Sequence, residues 1–381
     1  MVHSVPTIAA YYFPNYHSDA RNALTHGPGW NEWELVRRAR PRFPGHRQPN
    51  CPLWGYGDEA DPRVMEQKIA AAANHGVDVF IYDWYYYNDG TFLERALNEG
   101  FFGAANRSRL RYALMWANHN WVDIHPVPAD LNPELLYPGA VTPESFERMT
   151  DYVIEHHFSR PEYWRIAGAP YFSIYELYRI AESFGGWNEA AAALERFREK
   201  ARSAGFPGIH LNGVLWGLQL LPGEQTISDP AALVKLFGLD SVTSYVWVHH
   251  ARLERFPVTP YAEVFAANRA YWDSAASTYA APYFPNVTMG WDASPRTLQE
   301  TEYTDRGYPY MATMSTTPEE FGAAIRAACD FVAARPPEQR VVTINAWNEW
   351  TEGSYLEPDE FHRFAYLEAI REAKAAFTDE K

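Results

Sequence analysis

Two glutamates near the end of the chain, Glu349 and Glu352, lie three positions apart in the segment NAWNEWTEG, residues 345–353. Paired carboxyl groups suit the cleavage of glycosidic bonds, because one can protonate the leaving oxygen while the other acts as base or nucleophile. Like charges in proximity raise one pKa, which keeps that carboxyl protonated near neutral pH. Alternatively, Glu352 caps the following loop and Glu349 pairs with an arginine or a histidine. The spacing alone does not choose between these interpretations.

The elements that must position these glutamates alternate between strand-like and helix-like segments, which is typical of an α/β fold with parallel strands. Eight such repeats predict a single (β/α)₈ TIM barrel domain over residues 1–381, with a long βα-loop insertion at about residues 13–60. A doubly wound open sheet is the rival fold, but no glycine-rich phosphate turn follows the first strand. The predicted strands are Thr7–Tyr12, Val77–Asp83, Arg111–Trp116, Pro170–Tyr175, Gly208–Leu215, Ser241–Val246, Asn286–Gly290 and Arg340–Trp347.

Helical composition fills the intervals between these strands. A start signal at Asp61 followed by proline indicates where the first long helix begins. The predicted helices are Asp61–His75, Thr91–Glu99, Thr142–Phe158, Asn188–Ala204, Ala231–Phe237, Pro260–Ala280, Pro318–Ala334 and Glu360–Phe377.

Strand alternation predicts where the first glutamate points. Apolar residues 342, 344 and 346 alternate with the residues that we expect to face the barrel axis, which are Thr343, Asn345, Trp347 and Glu349. In a continuing strand Glu352 would face the opposite way. A helix-like turn after Glu349 would instead bring the two side chains to one face, with Cβ atoms about 5–6 Å apart. Gly353 would favour such a turn.

Polar and aromatic residues gather at six of the eight predicted strand ends, where barrels of this class hold their active sites. Together they predict a polar bowl with aromatic walls, which suits a carbohydrate ligand. The predicted substrate-binding residues are Tyr12, Asp83, Trp84, Tyr85, Trp116, Asn118, Asn120, Trp121, Tyr175, Tyr245, Trp291, Asn345, Trp347, Asn348 and Trp350.

Several of these side chains also have a structural interpretation. Asp83 could pair with a neighbouring barrel residue, and Asn118 and Asn120 could shape their loop. Glu32, in the long insertion, could reach the cleft or could fix that insertion in place.

No metal site or cofactor is expected from the sequence. The adjacent pair His249 and His250 lacks any second ligand at metal-binding spacing, so a solvated or hydrogen-bonded pair is expected. Cys51 and Cys329 are the only two cysteines and lie far apart, which excludes a disulfide framework and a zinc site.

Charge and hydropathy exclude several classes of partner. The formal net charge of −15 disfavours nucleic acid, because the phosphate backbone is repelled. No apolar run of 18 residues is present, so no membrane span is expected. The first residues lack a basic region and a long apolar stretch, so a cytoplasmic location is expected. The oligomeric state is left open.

An ordered set of motifs gives the chain a family resemblance that runs nearly end to end. These motifs are Tyr11–His17, Trp30–Trp33, Phe43–His46 with Gln48 and Pro49, Asp83–Tyr87, Trp116–Trp121, Asn345–Gly353 and Leu356–Asp359. With them the chain resembles the bacterial glycoside hydrolase family 99-like barrel proteins, also called the WbsX group, which are often found in O-antigen and capsule gene clusters. It is more distantly similar to the endo-α-mannosidases and endo-α-mannanases of family 99 itself, which are retaining (β/α)₈ barrels.

The resemblance implies a division of labour between the two glutamates. Glu349 would act as base on the 2-hydroxyl of the substrate, giving a 1,2-anhydro intermediate, and Glu352 would act as general acid and then general base. No metal or organic cofactor is implied. His119 stands where much of the group has glutamate, so mannose specificity is not carried over.

Three functions follow from the sequence, in order of preference. The first is a retaining glycoside hydrolase that acts on a bacterial polysaccharide or oligosaccharide. The second is a glycosyltransferase or transglycosidase in surface polysaccharide biosynthesis. A nucleotide-sugar transferase would need a diphosphate site, and the sequence has no glycine-rich turn, metal-binding Asp-x-Asp or basic cluster. The third, a non-catalytic glycan-binding barrel, is disfavoured because both glutamates are present.

Overall fold

A parallel sheet curves around a central axis in the computed structural model of the chain, which describes residues 5–379. Its strands are β1 (Thr7–Tyr12), β2 (Val79–Tyr87), β3 (Arg111–Trp116), β4 (Ala169–Ile174), β5 (His210–Val214), β6 (Ser241–Thr243), β7 (Tyr283–Phe284 and Asn286–Thr288) and β8 (Val341–Asn345).

Each strand from β1 to β6 pairs with the next one along the chain, and β8 pairs with β1. The two halves of β7 pair with β6 and with β8. Pro285, which separates these halves, has no N–H to donate to the ladder. The strands therefore form a nearly closed parallel barrel of the α/β type, which confirms the predicted fold class.

Helices connect the strands and cover the barrel. The α-helices are Ala20–His26, Trp33–Arg38, Pro62–Asn74, Pro143–Val153, Leu177–Phe184, Trp187–Ser203, Pro230–Leu236, Tyr261–Thr278, Pro318–Val332 and Ala365–Asp379. Short helical segments are Ala96–Phe101, Arg107–Arg109, Ile154–Phe158, Trp247–His249, Ser294–Arg296, Pro337–Gln339 and Trp350–Glu352. Short strands outside the barrel are Gly90–Phe92, Trp121–Val122, Leu135–Tyr137, Arg165–Ile166, Asn348–Glu349 and Ser354–Tyr355.

None of the helices between residues 5 and 379 is both long enough and apolar enough to span a bilayer.

A layer of small polar side chains fills the inside of the barrel. Ser173 donates to Asn212 at 2.8 Å, and Asn212 in turn donates to Ser241 at 2.8 Å. Thr243 and Thr343 meet across the barrel, with their hydroxyl oxygens 3.1 Å apart. Because buried polar groups are costly unless hydrogen-bonded, this chain of contacts fixes which faces of β4, β5, β6 and β8 point inward.

Two predicted helices begin later than expected. The segment predicted as Thr91–Glu99 starts as the strand Gly90–Phe92, which folds back antiparallel onto Tyr85–Tyr87, and its helix begins only at Ala96. The final helix begins at Ala365 rather than Glu360, because the backbone N–H of Glu360 is bonded to the carbonyl of Cys51 in the long insertion.

Candidate active site

A pocket that opens to solvent lies at the carboxyl ends of the barrel strands. Side chains from the ends of β1 to β4, β6 and β8 and from the loops after β3, β5, β6 and β7 line it. The sequence-predicted residues that it brings together are Asp83, Tyr85, Asn120, Trp121, Tyr175, Tyr245, Glu349 and Glu352.

The backbone turns sharply between the two predicted catalytic glutamates. Glu349 ends a short strand, and a single 3₁₀ turn, Trp350–Glu352, follows it at once. Gly353 closes the turn in the left-handed region, with φ 65°. This is the bend that the sequence required for both glutamates to face one site, and both line the pocket.

The guanidinium of Arg296 lies between three buried carboxylates. One nitrogen, Nη1, is 2.5 Å from Glu352, while Nη2 is 2.9 Å from Glu32 and 3.5 Å from Glu349. Arg296 reaches this position from a short 3₁₀ helix after β7. Glu32 comes from the long insertion. Its carboxylate also accepts hydrogen bonds from Asn15, in the same insertion, and from Thr351. Glu32 therefore fixes the insertion against Arg296 and Thr351, and it is not among the residues that line the pocket.

Burial and mutual repulsion change the acidity of the two glutamates. The pKa of Glu349 is raised well above its usual value by burial and by the negative charge of Glu352, against the opposing effect of Arg296. The pKa of Glu352 is also raised by burial, although the close Arg296 lowers it. Burial would raise the pKa of Glu32 too, but Arg296 and His125 hold it below its usual value. The pair thus retains a proton at a higher pH than free carboxyl groups would.

Tyr245 joins Glu349 to Asp83. Its hydroxyl oxygen is 2.8 Å from Asp83 Oδ2 and 3.2 Å from Glu349 Oε1. The hydroxyl has one proton to donate, so a hydrogen bond to both carboxyl groups requires that one of them is protonated. Burial raises the pKa of Asp83 well above its usual value, which fits such a shared proton. Asp83 therefore both borders the pocket and pairs with a barrel neighbour.

Glu224 organises the opposite side of the pocket. It accepts a hydrogen bond from Tyr175 at 2.7 Å and lies 3.5 Å from His249 Nε2. Backbone N–H groups of Leu220 and Leu221 bind its other oxygen at 2.9 Å. Sequence reasoning missed Glu224 and Arg296, because each is one charged residue in a long loop without a recognisable spacing.

Four predicted substrate-binding residues lie behind the pocket instead of lining it. Tyr12 donates to Glu59, and Asn348 donates to the same carboxylate. The indole N–H groups of Trp347 and Trp350 donate to the two oxygens of Glu357. The buried Lys68 lies 2.6 Å from both of these glutamates and offsets part of their negative charge.

The prediction that Trp347 faces the barrel axis is wrong. Strand β8 ends at Asn345, so side-chain alternation does not continue to Trp347. Its ring packs instead against Phe80, with ring centroids 4.8 Å apart, on the helix-facing side of β2.

The other five predicted substrate-binding residues also lie outside the pocket lining. Trp84 donates to Glu94, and Trp116 donates to the carbonyl of Tyr86. Trp291 contacts the sulfur of Met311. Asn118 binds both backbone groups of Glu176, which is the loop-shaping alternative. Asn345 is buried with no hydrogen-bond partner for its amide.

The two adjacent histidines have different surroundings. His249 lines the pocket, stacked on Trp216 with ring centroids 5.2 Å apart. His250 is hydrogen-bonded to Ser244 at 2.7 Å and stacks on Tyr271. The expectation of a hydrogen-bonded pair thus holds for His250, which is partly exposed, while His249 is buried.

Among residues 5–379, the group that could approach a metal-binding arrangement is His26, Asp123 and His125, with ligand atoms within 4.8 Å of one another. The nearest measured pair, His26 Nε2 and Asp123 Oδ1, is 4.0 Å apart. Ligands at 2.0–2.1 Å from a tetrahedral ion are about 3.4 Å apart, so the group is not closed around a metal position.

Residues 8–370 of the chain match the family model described as Glycosyltransferase WbsX. Two proteins described as uncharacterized protein WxcX, from Xanthomonas campestris pv. campestris strains B100 and ATCC 33913, are 27% and 26% identical over 96% of this chain. The chain spans about half the length of these curated relatives, 49% in each case.

Solved structures share the fold. The GH99 endo-alpha-mannosidase from Bacteroides thetaiotaomicron superposes with a TM-score of 0.60 at 15% identity, covering 97% of both chains. A glycoside hydrolase-like protein superposes with a TM-score of 0.61 at 15% identity, covering 98% of this chain and 95% of its own. At this identity the similarity establishes the barrel architecture.

Replacing Arg296 by methionine should strongly destabilise the fold. The change leaves three buried carboxylates without their cation, which we expect to cost about 3–5 kcal/mol of unfolding free energy. Arg255→Met is the control, because Arg255 and its partner Glu263 are exposed and such a pair contributes at most about 1 kcal/mol. Urea denaturation measures both variants, and equal losses would contradict the central position of Arg296.

Gly353→Ala should misplace Glu352. A Cβ at this position would lie 2.6 Å from the Cβ of Asp292, and the positive φ adds strain. We expect kcat/KM to fall about tenfold or more, because small displacements of reacting groups are costly. Gly307→Ala has a positive φ but no atom within 4 Å of its Cβ, so it controls for strain alone. Unchanged activity in Gly353→Ala would show that the turn does not set the geometry.

Proposed function

This chain belongs to the family described as Glycosyltransferase WbsX, and we propose that it is a carbohydrate-active enzyme that hydrolyses glycosidic bonds. The proposed substrate is a bacterial polysaccharide or oligosaccharide, and the anomeric configuration is retained. The membership of the family supports sugar chemistry, while the site supports hydrolysis.

One observation carries the proposal: Glu349 and Glu352 line the same pocket and contact the same guanidinium. Both carboxyl groups have raised pKa values through burial. Raised pKa values favour a pair that shares one proton, which is the state that an acid and a base acting together need.

In the proposed first step, Glu349 removes the proton from the 2-hydroxyl of the substrate. The 2-oxygen attacks C1 from the same sugar, and Glu352 gives its proton to the departing glycosidic oxygen. A 1,2-anhydro sugar results. In the second step Glu352 takes a proton from water, the water oxygen bonds to C1 and opens the epoxide, and the 2-oxygen recovers its proton from Glu349. The two inversions at C1 give net retention.

These roles impose a condition on the position of the shared proton. Without substrate, Arg296 lies nearer to Glu352 than to Glu349, which favours negative charge on Glu352. The proposed first step needs the proton on Glu352. Substrate binding must therefore move the shared proton to Glu352. The contact of Glu349 with Tyr245 and the contact of Glu352 with Arg296 must rearrange as the 2-hydroxyl and the glycosidic oxygen enter.

A glycosyltransferase is the second candidate, because the family description names that activity. A nucleotide-sugar donor would bring a diphosphate into the pocket. Of the lysine and arginine side chains that the structure describes, Arg296 alone lines the pocket, and three carboxylates already surround it. The charge of the pocket therefore favours hydrolysis, or transfer between glycans, over use of a nucleotide-sugar.

Glu349→Gln and Glu352→Gln should each lower kcat by about 10²–10⁴-fold, because each removes one proton-transfer group without changing the shape of the side chain. Release of reducing sugar from a polysaccharide panel measures the loss, and thermal denaturation shows that the variants fold.

The matched control is Glu94→Gln, which removes a largely buried carboxylate that binds Trp84 and Tyr152 outside the pocket. Its folded fraction should keep wild-type activity. Full activity in both pocket variants would refute the carboxylate assignment, and activity that depends on an added nucleotide-sugar would favour the transferase.

The pH profile of kcat/KM should be bell-shaped. Activity falls on the acid side when the ionised member of the pair takes up a second proton, and on the alkaline side when the shared proton is lost. The positive charge of Arg296 opposes the rise in the pKa of both glutamates. A looser contact with that charge raises both pKa values further. Arg296→Lys should therefore move both limbs to higher pH. A shift of either limb to lower pH would contradict the charge arrangement.

A further inference from the structure

The proposed function fixes how a sugar ring sits across the pocket, and the inference below rests on it. With its 2-hydroxyl at Glu349, the ring has C2 on the β8 side. In a pyranose ring C5, which carries C6, lies opposite C2. In the barrel the strand opposite β8 is β4, since three strands lie between them in either direction around the sheet. In a ring that lies across the barrel axis, C6 then points toward the pocket wall formed by β3, β4 and β5.

That wall, which we call the far wall, presents mainly carbon. Met115 and Ala117 contribute from the end of β3, and Leu220 and Leu221 contribute from the loop after β5. The catalytic side differs sharply, because Asp83, Tyr245, Glu349, Glu352 and Arg296 gather there.

Three polar side chains near the far wall, those of Tyr175, His119 and Asn120, already have hydrogen-bond partners within the protein. Tyr175 donates to Glu224 at 2.7 Å, and His249 lies 3.5 Å from the same carboxylate. His119 is bonded through Nδ1 to the carbonyl of Asn120 at 2.9 Å, and Asn120 Oδ1 accepts the N–H of Gly139 at 2.9 Å. A hydroxyl at C6 that lies against Met115, Leu220 and Leu221 would lose its hydrogen bonds to water without equivalent replacements from these side chains.

The charge of the site disfavours an acidic group at the same carbon. Glu224 is buried behind the far wall, and Asp83 and the glutamate pair face it across the pocket. Arg296 lies on the catalytic side, already surrounded by carboxylates. A carboxylate or phosphate at C6 would therefore meet negative charge without a cation.

We propose that the sugar bound next to Glu349 and Glu352 is a neutral 6-deoxy sugar, with a methyl group at C5 in place of the hydroxymethyl group. The methyl group fills the space against Met115, Leu220 and Leu221. No motif in the sequence indicates this preference, because Met115 comes from β3 whereas Leu220 and Leu221 come from the loop after β5.

The test uses aryl glycosides that differ only at C6: a methyl, a hydroxymethyl or a carboxylate group on the same ring, in both configurations at C2. We expect kcat/KM for the methyl compound to exceed that of the hydroxymethyl compound about tenfold to a hundredfold, the range that apolar pockets achieve. The carboxylate compound should be the poorest substrate. A preference for hydroxymethyl or carboxylate would overturn the inference while leaving hydrolysis itself intact.

Leu221→Asn should reduce the preference for methyl by about tenfold, because it offers the C6 hydroxyl a partner. Leu221 lies in a partly exposed loop, so the fold should tolerate the change. Leu236→Asn, on an exposed position of the helix Pro230–Leu236, is the matched control and should leave the ratio unchanged. If the ratio of kcat/KM for the methyl and hydroxymethyl compounds is unchanged in Leu221→Asn, the far wall does not determine the preference.

Saturation-transfer NMR with the matching methyl glycosides separates the two possible failures. If no glycoside is cleaved but the 6-deoxy compounds bind best, hydrolysis fails and the sugar class stands. If no compound in the series is preferred in binding or in turnover, the sugar class fails.

Discussion

The buried guanidinium of Arg296 is the contact on which the arrangement of the site depends. Three carboxylates converge on it: Glu32 from the long insertion, and Glu349 and Glu352 from the segment after β8. Removed from water, these groups would repel one another strongly, because charges interact more strongly in a medium of low dielectric constant. One cation among three carboxylates reduces that repulsion without removing it. Burial, together with the residual negative charge, raises the pKa of both glutamates. The same negative charge repels anionic ligands.

A second buried cation supports the same strand end from behind. Lys68 lies between Glu59 and Glu357, and these carboxylates bind the side chains of Asn348, Trp347 and Trp350. The backbone that carries the glutamate pair is thus held on both sides by ion clusters. Preorganisation of this kind places the reacting groups before the substrate arrives, which is the larger part of what an active site contributes to rate.

The fold was accessible from sequence because its signals are local. Short strand-like segments between helical ones mark β1 to β8, and start signals such as Asp61 mark helices. Alternation fails as soon as a strand ends, which is why Trp347 was assigned to the wrong face. Arg296 and Glu224 were not found at all, since their positions depend on loop paths that no periodicity describes. From the sequence, a turn between Glu349 and Glu352 is only a requirement for both side chains to face one site. The structure meets this requirement with the 3₁₀ turn Trp350–Glu352 and Gly353.

The stereochemistry of the first product tests the central claim, that the Glu349 and Glu352 pair acts through two successive displacements at C1. Proton NMR during initial turnover of a defined glycoside reports the configuration of the released sugar before mutarotation. The account predicts that the first anomer to accumulate has the configuration of the substrate. Initial release of the opposite anomer would mean a single displacement by water, and it would contradict the roles proposed here for both glutamates.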